Sequence, residues 1–244
     1  MPVFLYAGPG TSLLCVNETE GTLRSFGVQP VCIKEAKTLV ESLQGTAKGS
    51  MVIIPGGRAR PYKENLAGEG TRIIRDFVHR GGNYLGIGAG AYFGSAKVEF
   101  ELGTEMEVNE PMELHLFPGI AYGALYKRAF KYYSESGTSA AKIEVFGDTD
   151  LNLYYNGGCA FRNAESFPEV EVLAKYGDVE DKPAAVIKTF VGKGKVILSG
   201  VHYEVGSKAA EEEGTSRSII EKLEQTENER KEFACKILAS CLDI

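Results

Sequence analysis

The apolar residues in the first half of the chain fall into short runs that are separated by turn-forming residues. Runs of this length, ended by glycine, proline or polar clusters, are typical of buried strands, and the stretches between them suit helices. Strands that alternate with helices favour a parallel sheet covered on both faces. We predict strands over residues 3–7, 28–33, 51–54 and 84–87, and helices ending near residue 26, over residues 36–43 and between residues 70 and 80.

The second half of the chain is less regular. Residues 99–155 hold strand-like pieces at 111–117 and 141–146, and we predict that they elaborate the same sheet. Two later segments alternate like antiparallel strands, and a hairpin turn and a further strand follow them. The chain then ends in a helix. We interpret the highly charged middle of this helix as a solvated face or a surface turn. The later strands are predicted at residues 170–175, 184–189 and 195–199, the turn at 192–194 and the helix from about 216. No linker is evident, so we expect one domain over residues 1–244.

Composition and charge exclude several classes of protein. The chain has 244 residues, is 43% hydrophobic and 25% charged, and carries a net charge of −6, with its basic residues scattered among acids. This is typical of a globular protein without a nucleic-acid footprint, and the apolar runs are too short to cross a membrane. The five cysteines have irregular spacing and no C-x-x-C pair, so we expect no metal site, reduced thiols and a cytoplasmic location. We expect Cys15, Cys235 and Cys241 to be core residues.

A candidate catalytic turn follows the strand at residues 84–87. The segment Gly86-Ile87-Gly88-Ala89-Gly90 joins a buried strand to a predicted helix. A strand, a tight turn and a helix form a nucleophile elbow, in which the central side chain lies beside backbone N–H groups. Gly88 occupies the central position of this predicted elbow.

Two other segments supply the partners that such an elbow needs. His202 follows a strand and precedes Glu204 by two residues, which suits a general base and the carboxylate that orients it. Gly56 and Gly57 follow the strand at residues 51–54, and their N–H groups, with that of Ala89, are candidates for an oxyanion hole.

Several polar and aromatic residues are expected near the same strand ends, where open α/β sheets bind ligands. Arg58 and Tyr92 are candidates for a ligand pocket, as are Tyr155 and Asn156 before the Gly157-Gly158 turn. The alternatives are that the arginine is a solvated loop charge and that the tyrosines are packed in the core.

These segments together resemble a known family over nearly the whole chain. A Pro-Gly-Gly turn, a Gly-x-Cys-x-Gly elbow and a downstream His-x-Glu define class I glutamine amidotransferases. More narrowly, the sequence resembles the amidotransferase-like N-terminal domain of eukaryotic-type biotin protein ligases. The matching segments begin at Tyr6 (YAGPGTS), Ile54 (IPGGR), Gly81 (GGNYLGI), Ala89 (AGAYF), Val98 (VEFE), Phe117 (FPG), Tyr155 (YNGG) and Gly192 (GKGK).

The resemblance implies a flavodoxin-like α/β fold and a Cys-His-Glu triad, but this chain has Gly88 where the family has the elbow cysteine. Glycine cannot attack a carbonyl, so a covalent glutaminase step cannot start there. Cys159 is a conceivable substitute, although a buried structural thiol is the better interpretation. His202 and Glu204 then remain as a degenerate triad.

The resemblance therefore implies a non-catalytic accessory or regulatory domain of a biotin protein ligase. Its expected partners are a small-molecule ligand and a ligase domain in the same polypeptide. The ligase domain would bind biotin and ATP, and we expect no cofactor in this domain. We expect neither nucleic acid nor a membrane as a partner. Two alternatives stay open. One is a glutamine amidotransferase or amidase in which Gly88 is a variant or engineered change, and the other is a stand-alone binding module.

Overall fold

Short apolar runs without a polar interruption form the buried strands at the centre of the fold. The computed structural model describes residues 1–126, 130–132, 134–145 and 149–242, and its described strands belong to one sheet. The strands are β1 (Val3–Tyr6), β2 (Val31–Ile33), β3 (Met51–Ile54), β4 (Asn83–Ile87), β5 (Ser95–Phe100), β6 (Val108–Pro111), β7 (Phe117–Gly123), β8 (Thr138–Val145), β9 (Thr149–Asn156), β10 (Ala160–Phe161), β11 (Glu171–Tyr176), β12 (Ala184–Val191) and β13 (Gly194–Ser199).

The sheet has a parallel half and a mixed half. Its order is β2-β1-β3-β4-β13-β12-β10-β7-β5-β6, and the strands from β2 to β13 pair in parallel. Antiparallel pairing begins between β13 and β12, which the predicted hairpin turn connects, and β11, β8 and β9 extend the sheet from β12. The chain therefore has the predicted mostly parallel α/β architecture with an added β-rich section.

Helices cover both faces of the parallel half because neighbouring residues on a strand point to opposite sides. Val52 packs with the cluster that contains Leu39 and Phe77, whereas Ile53 packs with Leu23 and Ile237 on the other face. In the described residues no helix is long and apolar enough to cross a membrane. The helices are α1 (Leu13–Ser25), α2 (Ala36–Gln44), α3 (Ala59–Leu66), α4 (Glu69–His79), α5 (Ala89–Gly94), α6 (Ser207–Glu212), α7 (Arg217–Glu224) and α8 (Glu227–Leu242).

Several predicted elements differ from the observed ones. The second strand begins only at Val31, and the segment predicted as a strand over residues 111–117 is a connection in which His115 has a positive φ of 47°. The terminal helix breaks within its charged stretch into α7 and α8, and helices α3 and α6 were not predicted. The strand predicted over residues 141–146 is part of β8, and its last residue lies outside the described residues. Cys235 is exposed on α8 and is not a core residue.

A buried arginine ties the last helix to the chain segment after β13. Arg230 on α8 donates to the carbonyl oxygen of Tyr203 at 2.6 Å and to the two carboxylate oxygens of Glu227 at 3.0 and 2.6 Å. Charge-assisted hydrogen bonds of this kind are stronger than neutral ones, and the pair lowers the pKa of Glu227 against the raising effect of burial. The contact to Tyr203 therefore anchors the segment that carries His202 and Glu204.

We expect Arg230→Ala to lower the free energy of unfolding by about 3–5 kcal/mol, because it leaves the half-buried Glu227 carboxylate and the Tyr203 carbonyl without their partner. Urea denaturation followed by circular dichroism measures the change. Lys231→Ala is the control, since that side chain is 62% exposed and its loss should cost less than about 0.5 kcal/mol. Equal effects of the two substitutions would contradict the anchoring role.

Candidate functional site

The candidate site lies where four neighbouring parallel strands end. The sheet places β1, β3, β4 and β13 side by side, so the segments after them meet at one edge. The turn after β1 leads into α1, the turn after β3 holds Gly56 and Gly57, Gly88 follows β4, and His202 follows β13. This order brings together Gly88 and His202, as predicted.

Gly88 forms the turn between β4 and α5 with φ 53° and ψ −109°, a conformation that residues with a side chain rarely adopt. Its N–H donates to the carbonyl oxygen of Ser199 at 2.8 Å. A Cβ atom added here would lie 2.8 Å from Cε1 and 2.9 Å from Nε2 of His202, closer than side-chain atoms normally approach. Gly88 thus lies at a strand-turn-helix junction, and the imidazole lies in the space that a side chain at this position would need.

His202 and Glu204 form a buried pair. They are only 4% and 2% exposed, and Nδ1 of His202 lies 2.8 Å from Oε1 of Glu204. The backbone N–H of His202 donates to the carbonyl oxygen of Tyr154 at 2.9 Å, which fixes the base of the side chain. The second oxygen of Glu204, Oε2, is buried and has no hydrogen-bond partner among the described residues. The pair has the arrangement of a general base and its orienting carboxylate.

Cys15 is the site residue that the sequence interpretation missed. Burial lowers the pKa of His202, but the neighbouring Cys15 and Glu204 oppose this effect and raise that pKa well above its ordinary value. Sγ of Cys15 lies 3.7 Å from Nδ1 of His202, and the thiol lines the cavity described below. Cys15 is therefore buried as predicted but faces the site from the first turn of α1, close to the end of β1. The place of Cys15 in the sequence, shortly after the first predicted strand, was the signal that could have identified it as a site residue.

A cavity of about 640 Å³ opens beside Gly88 and His202. One wall is apolar and aromatic, with the rings of Tyr92 and Phe100 5.7 Å apart and those of Phe100 and Phe130 5.2 Å apart, each pair edge to face. The guanidinium of Arg58 also lines the cavity and lies 5.5 Å from the ring centre of Tyr132, which packs against Phe130. The predicted residues that line this cavity are Gly57, Arg58, Gly88, Ala89, Tyr92, Asn156 and His202.

Other predicted site residues do not line the cavity. Gly56 nevertheless lies against Cys15 and His202, because an added Cβ would be 2.5 Å from Sγ of Cys15 and 2.6 Å from Cε1 of His202. Tyr155 does not line the cavity, because it points to the opposite face of β9 from Tyr154, and its hydroxyl donates to the carbonyl oxygen of Gly158 at 2.9 Å. Cys159 is fully buried away from the cavity, and burial raises the pKa of its thiol.

The backbone N–H groups of Gly57 and Ala89 have no hydrogen-bond partner among the described residues, and both residues line the cavity. Unpaired N–H groups beside an elbow suit the oxyanion of an acyl-transfer intermediate or the oxygen of a bound ligand. The arrangement can therefore bind a polar group and supply or accept a proton, and Gly88 has no side chain that could act as a nucleophile.

Solved structures share this architecture. A crystal structure of a glutamine amidotransferase superposes with a TM-score of 0.60 at 19% identity, covering 88% of this chain and 100% of that one. A putative ThuA-like protein from Bacteroides uniformis ATCC 8492 gives a TM-score of 0.53 at 10% identity, covering 86% of each chain. At such identities the likeness shows the fold alone. The chain thus has a glutamine amidotransferase-like α/β fold, which confirms the predicted fold class.

Sequence relatives define the family more narrowly. The family described as "Biotin-protein ligase, N terminal" matches residues 1–243, so the chain belongs to this family. It is 36% identical over 218 residues to a biotin–protein ligase of Schizosaccharomyces pombe (strain 972 / ATCC 24843), covering 86% of this chain but only 34% of the ligase. It is 38% identical over 207 residues to an uncharacterised protein of Chlamydia muridarum (strain MoPn / Nigg), covering 83% of this chain and 80% of that protein.

We expect Gly88→Ala to lower the free energy of unfolding by more than the backbone strain at position 88 alone would. Gly68 is a matched control, because its φ of 69° and ψ of −102° are nearly those of Gly88 while an added Cβ would meet nothing within 4 Å. Gly68→Ala should cost about 1–3 kcal/mol of backbone strain, and Gly88→Ala about 1–3 kcal/mol more because the new methyl group contacts the imidazole. Urea denaturation measures both. Equal losses would show that His202 moves away without cost.

Proposed function

We propose that this chain is an accessory domain of a biotin protein ligase that binds a small molecule at the elbow and does not hydrolyse glutamine. The proposal rests chiefly on Gly88, where the elbow has a positive φ, no side chain, and an imidazole within 2.9 Å of the position where a side chain would begin. Family membership and the ligase of S. pombe support the link to biotin transfer. Biotin and ATP would be bound by a separate ligase domain of the same polypeptide.

The cavity favours a ligand with an apolar body and a polar head. The aromatic wall formed by Tyr92, Phe100 and Phe130 can pack against the body, while the N–H groups of Gly57 and Ala89 and the imidazole of His202 can bind oxygen atoms of the head. Asn156 adds a buried side-chain oxygen that lacks a partner among the described residues. A ligand that donates a hydrogen bond to this oxygen would remove the cost of burying it.

Two other functions have particular observations in their favour. The His202–Glu204 pair, 2.8 Å apart, retains the geometry of a catalytic base, which favours an amidotransferase or amidase whose elbow residue has been changed to Gly88. The C. muridarum relative, of which this chain covers 80%, favours a stand-alone binding module. The gene sequence at codon 88 and downstream of codon 244 distinguishes these alternatives from the accessory domain.

We expect the chain to release no ammonia from L-glutamine above the rate of a His202→Ala variant. Loss of the nucleophile lowered the turnover rate of a serine protease about 10⁶-fold, and a decrease of this size abolishes detectable turnover. We also expect Gly88→Cys to stay inactive, because its Cβ would collide with the imidazole. A coupled glutamate dehydrogenase assay measures ammonia.

Either of two results would contradict this proposal. Wild-type ammonia release at an enzymatic rate would show that the domain is catalytic as it stands. Glutamine hydrolysis by Gly88→Cys, together with a thiol that reacts rapidly with iodoacetamide only in that variant, would support the amidotransferase alternative. An inert thiol at position 88 would exclude it.

We expect ligand binding to be blocked by filling the cavity. Ala59 begins α3 and lines the cavity, whereas Ala67 is exposed just beyond the end of the same helix. Ala59→Trp should weaken binding at least 10-fold and Ala67→Trp should leave it unchanged. Biotin and L-glutamine are the probes, with isothermal titration calorimetry of the purified chain as the measurement. Binding that both tryptophan variants retain would place the ligand outside this cavity.

A further inference from the structure

We propose that Cys15, His202 and Glu204 form a binding site for a borderline-soft divalent cation of the Zn²⁺ type. Sγ of Cys15 lies 3.7 Å from Nδ1 of His202, which lies 2.8 Å from Oε1 of Glu204. One ligand atom from each residue falls within 4.8 Å of the other two. The site goes beyond ligand binding in the cavity, and it uses a thiol on α1 in place of one at the elbow.

The spacing of the sulfur and nitrogen donors is close to what a tetrahedral zinc ion needs, and the carboxylate oxygen lies within 4.8 Å of both. With Zn–S of about 2.3 Å and Zn–N and Zn–O of about 2.0–2.2 Å, tetrahedral ligands lie about 3.3–3.6 Å from one another. The sulfur and nitrogen are already about this far apart, while the nitrogen and oxygen must separate by about half an ångström. Nδ1 then exchanges its hydrogen bond with Glu204 for a bond to the metal.

The unpaired oxygen of Glu204 is an independent observation that points to a cation. Glu204 is 2% exposed, and its Oε2 has no partner among the described residues. A buried carboxylate oxygen without a donor is costly, and a metal ion bound at the carboxylate compensates the cost. The only basic group that contacts this carboxylate in the described part of the chain is His202.

The chemistry of the donors selects the class of metal. A thiolate and an imidazole favour Zn²⁺ over Mg²⁺ or Ca²⁺, which prefer oxygen ligands. Three protein ligands leave the fourth position of a tetrahedral ion open, as in catalytic zinc sites. Cys15 and His202 both line the cavity, so that position faces the space in which a ligand would bind. The metal can therefore bind an oxygen or nitrogen atom of a small molecule there.

Metal titration of the chain, purified with a chelator and then freed of it, tests the site directly. We expect one Zn²⁺ per chain by calorimetry, and a near-ultraviolet thiolate-to-metal band when Co²⁺ replaces Zn²⁺. Cys15→Ser should abolish that band and weaken Zn²⁺ binding about 100-fold or more, and Glu204→Gln should also weaken it while keeping the shape of the side chain. Cys159→Ser is the matched control, because that thiol is buried away from the cavity.

Protection from alkylation tests the same site without a substitution. Zn²⁺ should slow the reaction of Cys15 with iodoacetamide in the wild-type chain at least 10-fold, while the exposed Cys32 and Cys235 continue to react. Peptide mass spectrometry measures each thiol separately. Equal Zn²⁺ affinity of wild type and Cys15→Ser, a Co²⁺ spectrum without the thiolate band, or unprotected Cys15 would each overturn the proposal. The ammonia assay, run with the chelator present, is independent of all three.

Discussion

The site depends on the parallel alignment of four adjacent strands. Because β1, β3, β4 and β13 run in the same direction, the segments that follow these strands all lie at one edge of the sheet. The register places Ile54 beside Gly86 and Ser199 beside Ile87, so the turns after these strands meet at the same height. Cys15 and His202, which are 187 residues apart in the chain, thereby come within 3.7 Å.

The turn after β4 brings a glycine and an imidazole into close contact. Gly88 has a conformation that is strained for any residue with a Cβ, and glycine adopts it at little cost. The imidazole of His202 then lies against the glycine, within a distance that a side chain would not permit. The retained pair of His202 and Glu204 meets a thiol that comes from α1, on a different element from the elbow.

The local pattern of apolar residues predicted the parallel strands, but it did not predict the features that depend on tertiary contacts. The strand over Met51–Ile54 was predicted with its observed bounds because four apolar residues end abruptly at Pro55. Helix α3 was missed, since Pro61 in its first turn resembles a breaker although the first turn tolerates proline. Of the neighbours Tyr154 and Tyr155, only Tyr154 lines the cavity, because neighbouring residues of a strand face opposite sides and the local sequence does not tell which side is the cavity.

Cys15 illustrates the same limit at the site itself. Its apolar neighbours along α1 indicated a core thiol, and the Cys15 side chain is indeed buried. Only the order of the strands in the sheet shows that its helix begins beside His202.

The buried polar groups at this edge of the sheet support the proposed binding role. An apolar pair of the same volume would be neutral or more stabilising by about 1–4 kcal/mol than a buried ion pair, because charges lose their hydration on folding. His202 and Glu204 are buried, one oxygen of Glu204 is unpaired among the described residues, and no elbow side chain needs a base. Packing alone therefore does not explain why these two residues are buried. The proposed ligand or metal ion would supply the charge or hydrogen bond that they lack.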